Sequence, residues 1–231
     1  MKIDVLYEDE NLLAVDKPAG LTVLPEGKTN EKTLKDYLLE NYPYLKNLGD
    51  DSRWGIVHRL DKDTSGILLV AKNKDSYEFL QRQFQEKTVV KRYLALVVGN
   101  IKEKEGKIET LLDRSPGDRK KQKVYLPNEP KAADKRMAIT EYKVLKNFEN
   151  YTLIEVSPKT GRKHQIRTHL AFLHHPIAGD KLYGFKNQIT PPGLKRQFLH
   201  ASYLKIKLPD NNEKEFESDL AEDLKDVIKK L

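Results

Sequence analysis

The sequence predicts an α+β fold, with one domain in which helices flank a mixed β-sheet. Strand-like segments recur along the whole chain, and amphipathic helical segments lie between them. No linker, internal repeat or low-complexity tract is long enough to divide the 231 residues. We therefore expect a single domain over residues 1–231.

The first third of the chain contains two strand signals, a helix and a buried strand. Residues 2–7 and 11–16 are short apolar segments separated by a polar turn, as in a hairpin. Apolar residues at helical spacing predict a helix over 33–42, which Pro43 ends. The run GILLVA at 66–71 is apolar throughout, as expected of a strand buried on both faces.

The rest of the chain is assigned from the same periodicities. They predict helices over 74–85, 164–174 and 220–231, and strands over 89–99, 138–145, 151–156 and 198–208. Residues 113–134 have little periodicity and are rich in Lys, Arg, Asp, Gly and Pro. That composition is typical of an exposed excursion from a sheet, which we expect to be mobile or ordered by a partner.

Composition narrows the classes of function. Charged residues make up 33% and hydrophobic residues 38%, as in a globular protein with a well-solvated surface. There is no basic leader feeding an apolar run and no span of about 20 apolar residues, so we expect a cytoplasmic protein without a membrane segment. The absence of Cys excludes disulfides, thiolate catalysis and cysteine-ligated metals. A formal charge of +7 is compatible with binding nucleic acid.

The segment GIVHRLDKDTSGILLVAK concentrates reactive side chains ahead of the buried strand. Asp61 follows Arg59 by two residues and precedes a Thr-Ser-Gly turn. A carboxylate held beside an opposite charge at the entrance to a rigid strand is suited to act as a nucleophile or a base.

Three generic interpretations compete for this segment. An EF-hand loop starting at Asp61 would need a bidentate Glu at its twelfth position, where the chain has Lys72. A magnesium-dependent aspartyl-phosphate phosphatase would use Asp61 and Asp63, but the preceding VHRL is not a clean apolar strand. Asp61 and Arg59 could also form a surface ion pair beside an ordinary turn. The spacing alone leaves the last two interpretations open.

HRLDKDTSG resembles the catalytic motif of the RluA-type pseudouridine synthases, HRLD followed by two variable residues and TSG. The resemblance continues through KPAGLTV at 17–23, KRYLALVVG at 91–99, TGRKHQIRTHLAFLHHPIAGDKLYG at 160–184 and FLHASYLKIKLP at 198–209. It covers nearly the whole chain. It implies a mostly antiparallel, bent sheet with a central active-site cleft.

The resemblance also implies roles for single residues. Asp61 corresponds to the essential catalytic carboxylate. Arg59 would fill the gap left by a flipped base, and Tyr93 would pack against the target uracil. Arg167 would pair with the aspartate, and Leu199 would line the pocket.

The implied function is RNA modification. The chain would isomerise uridine to pseudouridine in structured RNA, 23S rRNA or tRNA or both, after flipping the base out of its stack. Asp61 would attack C1′ or abstract a sugar proton, and the sequence does not choose between these routes. We expect no cofactor and no metal, a monomer, and no separate N-terminal RNA-binding domain, because KPAGLTV begins by residue 17. Substrate choice would then depend on loops such as 113–134.

Two further features have a structural and a functional interpretation. His164, His169, His174 and His175 suggest a metal site, but no HExxH pattern is present and we expect structural or RNA-facing roles. The basic run at 119–123 is either a solvated loop or a set of phosphate contacts. A non-catalytic RNA-binding or ribosome-assembly protein is the main alternative to an enzyme.

Overall fold

A computed structural model describes residues 3–25, 31–49, 53–210 and 212–231. They form two compact units: unit 1 comprises Met1–Val90 and Ala201–Asp219, and unit 2 comprises Lys91–His200 and Leu220–Leu231. The chain passes from one unit to the other three times, after Val90, His200 and Asp219. Neither unit is therefore a continuous stretch of sequence.

The described residues contain strands and helices in the following order. The strands are β1 (Asp4–Glu8), β2 (Leu12–Lys17), β3 (Ser65–Ala71), β4 (Val90–Val98), β5 (Glu105–Arg114), β6 (Gln122–Tyr125), β7 (Arg136–Asn147), β8 (Tyr151–Pro158), β9 (Leu199–Lys207) and β10 (Glu213–Glu217). The α-helices are α1 (Leu34–Asn41), α2 (Lys74–Glu86), α3 (Gln165–Phe172) and α4 (Glu222–Ile228), and Pro43–Asn47 forms a 3-10 helix. Helices flank strands that pair antiparallel, which confirms the α+β class.

Unit 1 is built on β3. The strand order is β1, β2, β3 and β9, with β10 on β9, and the pairings β1–β2, β2–β3 and β9–β10 are antiparallel. All seven residues of β3 are buried, as GILLVA predicted. Gly66 has φ +113, and a Cβ there would lie 2.2 Å from the carbonyl oxygen of Ala201. Only glycine permits this close approach of two backbones.

The helices of unit 1 begin at side-chain caps. Thr33 and Asp36 form a capping box at α1, and Asn73 and Ser76 form one at α2. Each box satisfies backbone N–H groups that the first helical turn leaves without partners. Tyr77 and Leu80 then bury one face of α2. Both helices lie where the apolar spacing predicted them.

Unit 2 contains five antiparallel strands and its own hydrophobic core. Its strand order is β4, β8, β7, β5 and β6. Apolar side chains of β4, β7 and β8 pack with Ile166 and Leu170 of α3 and Leu224 and Val227 of α4. The burial of α3 on the sheet fixes the polar residues that share that helix.

The structure departs from the sequence predictions in three places. Residues 113–134 contain β6, which pairs with β5, and Tyr125 and Ala132 within the segment are buried. This part of the excursion is therefore ordered by the protein itself. Strands β5 and β10 were not predicted. The first strand was predicted from Lys2, which lies outside the described residues, and it is seen from Asp4.

Helix length and hydropathy also bear on the predicted absence of a membrane segment. Among the residues with described structure, no helix is long and apolar enough to cross a bilayer.

Candidate active site

Asp61 lies in a loop that leads into β3. The loop leaves the sheet at Ile56, which forms an antiparallel bridge with Val70, and returns at Ser65. Leu60 is buried, whereas Asp61 is half-buried and Arg59 is exposed. The Asp61 carbonyl accepts a hydrogen bond from the Thr64 amide at 3.1 Å, which closes a tight turn. Leu60 anchors the loop while the carboxylate next to it keeps access to solvent.

His58 fixes the loop on the N-terminal side of Asp61. Its Nε2 accepts a hydrogen bond from the Leu69 amide of β3 at 2.9 Å. Its ring stacks on Phe84 of α2, with centroids 4.6 Å apart and planes 19° from parallel. An Nε2 that accepts must be unprotonated, so the neutral ring is the form that holds this side of the loop.

Lys17 fixes the loop on the C-terminal side of Asp61. Its side chain is fully buried, and Nζ donates to the carbonyls of Pro18 at 2.8 Å, Leu21 at 2.9 Å and Lys62 at 3.1 Å. The Gly20 amide also donates to the Lys62 carbonyl, at 2.9 Å. A buried ammonium is tolerated because carbonyl acceptors surround it. KPAGLTV and HRLD are thereby joined immediately after Asp61.

Tyr93 and Leu199 lie at the hydrophobic core of unit 2. Tyr93 pairs with Val156 across β4 and β8, is half-buried, and packs against the core. Leu199 begins β9 and is only 3% exposed. Leu199 is therefore a member of the core, while Tyr93 is only partly buried against it.

Arg167 lies on α3 and is only 7% exposed. Its Nε donates to Oδ2 of Asp180 at 2.7 Å, and its Nη2 donates to Oδ1 at 2.9 Å. Asp180 Oδ1 also accepts from the amides of Leu182 and Tyr183. Two parallel hydrogen bonds fix the plane of the guanidinium as well as its position.

The environment of Asp180 favours its ionised form. Burial raises the pKa of this carboxyl, but hydrogen bonds and charge from Arg167, together with the two amide donors, outweigh burial and hold the pKa below its usual range. The Arg167–Asp180 pair is therefore charged near neutral pH.

Tyr183 connects Arg167 to the β6 edge of the sheet. The Arg167 guanidinium carbon lies 5.1 Å from the centre of the Tyr183 ring. The Tyr183 hydroxyl accepts a hydrogen bond from the Gln122 amide at 2.7 Å and lies 2.9 Å from His164 Nδ1. One side chain thus touches both the buried guanidinium and the first residue of β6.

A buried polar network attaches α3 to the sheet. His169 is fully buried, with Nδ1 2.8 Å from the Thr140 hydroxyl and Nε2 3.0 Å from the Thr110 hydroxyl. Burial lowers the pKa of His169 to about 4. Gln165 donates to the Ile139 carbonyl at 2.9 Å. The helix that carries Arg167 is therefore fixed by hydrogen bonds as well as by apolar packing.

The predicted site residues fall into two groups. Arg59 and Asp61 share one loop of unit 1, and Tyr93, Arg167 and Leu199 are arranged around the core of unit 2. Sequence reasoning gave no role to Lys17, Asp180 or Tyr183. All three lie within the blocks that carried the family resemblance, which was the only signal for them.

A metal site among the histidines has no geometric support in the described part of the chain. No group of three or more His, Asp or Glu side chains there is arranged to hold a metal ion. His169 contacts two threonines, and His175 Nδ1 lies 2.8 Å from the Val98 carbonyl oxygen. His164 contacts the Tyr183 hydroxyl and His174 lies beside the Phe185 ring, so all four histidines considered from sequence have contacts within the protein.

Comparison with known sequences gives consistent matches. Residues 11–172 match the family described as RNA pseudouridylate synthase. A protein of Aquifex aeolicus, described as an uncharacterized RNA pseudouridine synthase, is 44% identical over 194 residues, which are 83% of this chain and 59% of that protein. YlyB of Bacillus subtilis, described in the same way, is 39% identical over all of this chain and 73% of its own length. Ribosomal large subunit pseudouridine synthase D of Borreliella burgdorferi is 40% identical over 94% of this chain and 65% of its own length.

Solved structures give the same result for the fold. Human RNA pseudouridylate synthase domain containing 4 superposes with a TM-score of 0.78 at 26% identity and covers 98% of this chain and 92% of its own. Human RNA pseudouridylate synthase domain containing 1 superposes with a TM-score of 0.76 at 27% identity and covers 94% of this chain and 83% of its own. The chain spans less than two thirds of the Aquifex and Borreliella relatives and nearly three quarters of the Bacillus one.

Proposed function

The chain belongs to the RNA pseudouridylate synthase family, and from this premise we propose that it isomerises uridine to pseudouridine in structured RNA, with Asp61 as the catalytic carboxylate. Residues 1–231 would act together as one catalytic domain. The observation that carries the proposal is the environment of Asp61: the loop is anchored by His58 before it and by contacts of Lys17 after it. Pre-organisation of this kind is what a reacting carboxylate requires.

The isomerisation of uridine requires one ionised carboxylate. Isomerisation breaks the bond from N1 to C1′ and forms a bond from C5 to C1′, with no net oxidation or reduction. Asp61 serves either as the nucleophile at C1′ or as the base that removes a sugar proton, and both routes require the charged form. The half-buried position keeps the carboxylate reachable, while the buried Leu60 next to it limits its motion.

The other site residues are assigned roles by the family resemblance. Arg59 is exposed, as a side chain must be if it is to enter the gap left by a flipped base. Tyr93 offers a half-buried aromatic face on which a uracil can stack while it rotates. Arg167 would stabilise the ionised carboxylate, and Leu199 would support the pocket from the core of unit 2.

Large-subunit ribosomal RNA is the first substrate to test. The Borreliella relative is named for the large ribosomal subunit, and proteins of Nitrosomonas europaea and Xanthomonas campestris with the same name are 40% and 39% identical to this chain. Transfer RNA is the second. The net charge of +7 suits either polyanion.

The test compares cells that carry wild-type protein, Asp61→Asn or Asp63→Asn. Pseudouridines in total rRNA and tRNA are mapped by carbodiimide labelling and reverse transcription. We expect one or a few sites to be lost with Asp61→Asn and retained with Asp63→Asn, because Asp63 is an exposed neighbour of the same charge type. The lost site names the substrate.

The alternatives predict different results. If both variants retain every site while the wild-type protein binds RNA, the non-catalytic RNA-binding function is correct. A magnesium-dependent phosphatase would lose its activity in EDTA, whereas pseudouridine formation by purified protein should continue in the presence of the chelator.

A further inference from the structure

Unit 2 carries basic side chains that have no acidic partner. Residues 113–136 contain eight Lys and Arg against four Asp and Glu. Within the described ranges, no ion pair is formed by Arg114, Arg119, Lys120, Lys121, Lys131, Arg136 or Arg162. We call these seven residues the basic surface.

Many lysines elsewhere in the described chain do have such partners. The pairs include Lys32–Glu40, Lys72–Glu8, Lys107–Glu109, Lys159–Glu141, Lys225–Glu222 and Lys229–Asp226. A solvated surface with mixed charge of this kind needs no ligand. A concentration of one sign without counter-charge produces a local positive potential that an anionic partner can neutralise.

The basic surface includes a shaped concavity. Arg114 and Lys131, both exposed, line a cavity of about 310 Å³ together with Tyr125, Pro130 and Asp134. Lys135 also lines it but is engaged by Asp113 at 2.7 Å. Asp134 is the carboxylate in the lining, so the unpaired cations outnumber the acid.

Two more arginines lie together beside this concavity. Arg136 begins β7 and is exposed, and the Arg162 side chain donates from Nε to the Met137 carbonyl at 3.1 Å. Burial and the charge of Arg136 both lower the pKa of Arg162. Bringing two guanidiniums together costs energy in the absence of an anion between or across them.

We propose that the basic surface of unit 2 is a docking site for the phosphodiester backbone of the RNA, separate from the residues that act on the uracil. This inference rests on the proposed function for its choice of RNA. One concavity would be enough to bind a single phosphate. Several cations spaced over a surface are better suited to a chain of phosphates. The contacts are therefore independent of base sequence.

Sequence independence allows a test that does not require catalysis. The probe is a fluorescein-labelled RNA hairpin without uridine, and its affinity for the full chain is measured by anisotropy over a series of salt concentrations. The test variant is Arg114→Gln with Lys131→Gln. The matched control is Lys225→Gln with Lys229→Gln, which removes two charges from α4 of the same unit.

We expect the slope of log affinity against log salt to become less steep by about 1.5 in the test variant, since each lost phosphate contact removes about 0.7–0.9. The control variant should keep the wild-type slope. An unchanged slope in the test variant, or an equal change in both variants, would overturn the proposal. If the test variant melts early, Arg114→Lys with Lys131→Arg keeps the charge and must restore the slope. Pseudouridine mapping reports on the proposed function independently.

Discussion

The guanidinium of Arg167 and the carboxylate of Asp180 form a bidentate ion pair inside unit 2, with donor–acceptor distances of 2.7 and 2.9 Å. The Asp180 side chain is 0% exposed. An orienting carboxylate thus fixes the arginine that the family resemblance places in the site.

Replacing Asp180 with Asn should strongly destabilise the protein. The substitution leaves a buried guanidinium without its counter-charge, and breaking one side of a buried pair typically costs roughly 3–5 kcal/mol. The free energy of unfolding in urea measures the loss. Asp223→Asn is the matched control: Asp223 makes the same bidentate contact with the equally buried Arg196, but the Asp223 side chain is 57% exposed, so water can reach the position of the lost charge and the loss should be smaller. An equal loss in the two variants would contradict the importance of burial.

Lys17→Met should reduce both stability and turnover. The variant leaves the Pro18 and Leu21 carbonyls without the ammonium donor, at about 2 kcal/mol or more in total. It also frees the Lys62 carbonyl next to Asp61 from one of its two donors. We expect kcat to fall while affinity for RNA is kept. Lys74→Met removes a lysine of the same unit whose side chain is 82% exposed, and it should change neither stability nor kcat. Full activity of Lys17→Met would refute the positioning role.

His169 should make the protein sensitive to mild acid. Its folded pKa is about 4, below the unfolded value of about 6.5. The unfolded state therefore takes up the proton first, and stability is lost as the pH falls from about 6.5 towards 4. Between pH 7 and pH 5 the loss should be about 2 kcal/mol.

The measurement for His169 is urea unfolding at pH 7 and pH 5, in the wild type and in His169→Gln. The variant should be less stable than the wild type at pH 7, because the contacts with Thr110 and Thr140 change. The difference in unfolding free energy between the variant and the wild type should be smaller at pH 5. A constant difference between the two proteins would show that folding does not lower the pKa of His169, contrary to the prediction.

Tyr183→Phe should loosen β6. The substitution keeps the ring next to Arg167 and removes the hydroxyl that accepts the Gln122 amide. We expect faster hydrogen exchange at Gln122 and weaker RNA binding, at a cost of about 1 kcal/mol. Tyr151→Phe is the control, because among the described residues the Tyr151 hydroxyl is buried without a hydrogen-bond partner. If both variants exchange alike at Gln122, the proposed link is wrong.

Strong local patterns explain which elements were predictable. GILLVA forms a fully buried strand, and the caps of α1 and α2 stand where the helical spacing begins. Strand β5 carries a usable alternation that was missed, with Ile108, Thr110 and Leu112 buried between more exposed neighbours. Strand β10 has only Phe216 as an apolar residue, so its pairing with β9 and the contact of Phe216 with Tyr7 define it. Such tertiary contacts leave no periodicity in the sequence.

The site residues could be predicted where they lie together in one short segment of the sequence. HRLD places Arg59 and Asp61 two residues apart, so the motif shows them together. Lys17 and Lys62 are 45 residues apart, and Asp180 is 13 residues beyond Arg167. Their roles arise when separate segments fold together, and spacing in the sequence cannot show those contacts.

Because the chain crosses between the two units three times, unit 1 cannot finish folding until late in synthesis. Unit 1 includes Ala201–Asp219, so β3 does not gain its neighbour β9 until that late segment has been translated. Until then β3, which is apolar on both faces, has one open edge that invites pairing with other nascent chains. A premature stop before β9 also leaves the sheet of unit 1 incomplete. Chaperones that shield nascent strands should therefore matter more for this chain than its size alone would indicate.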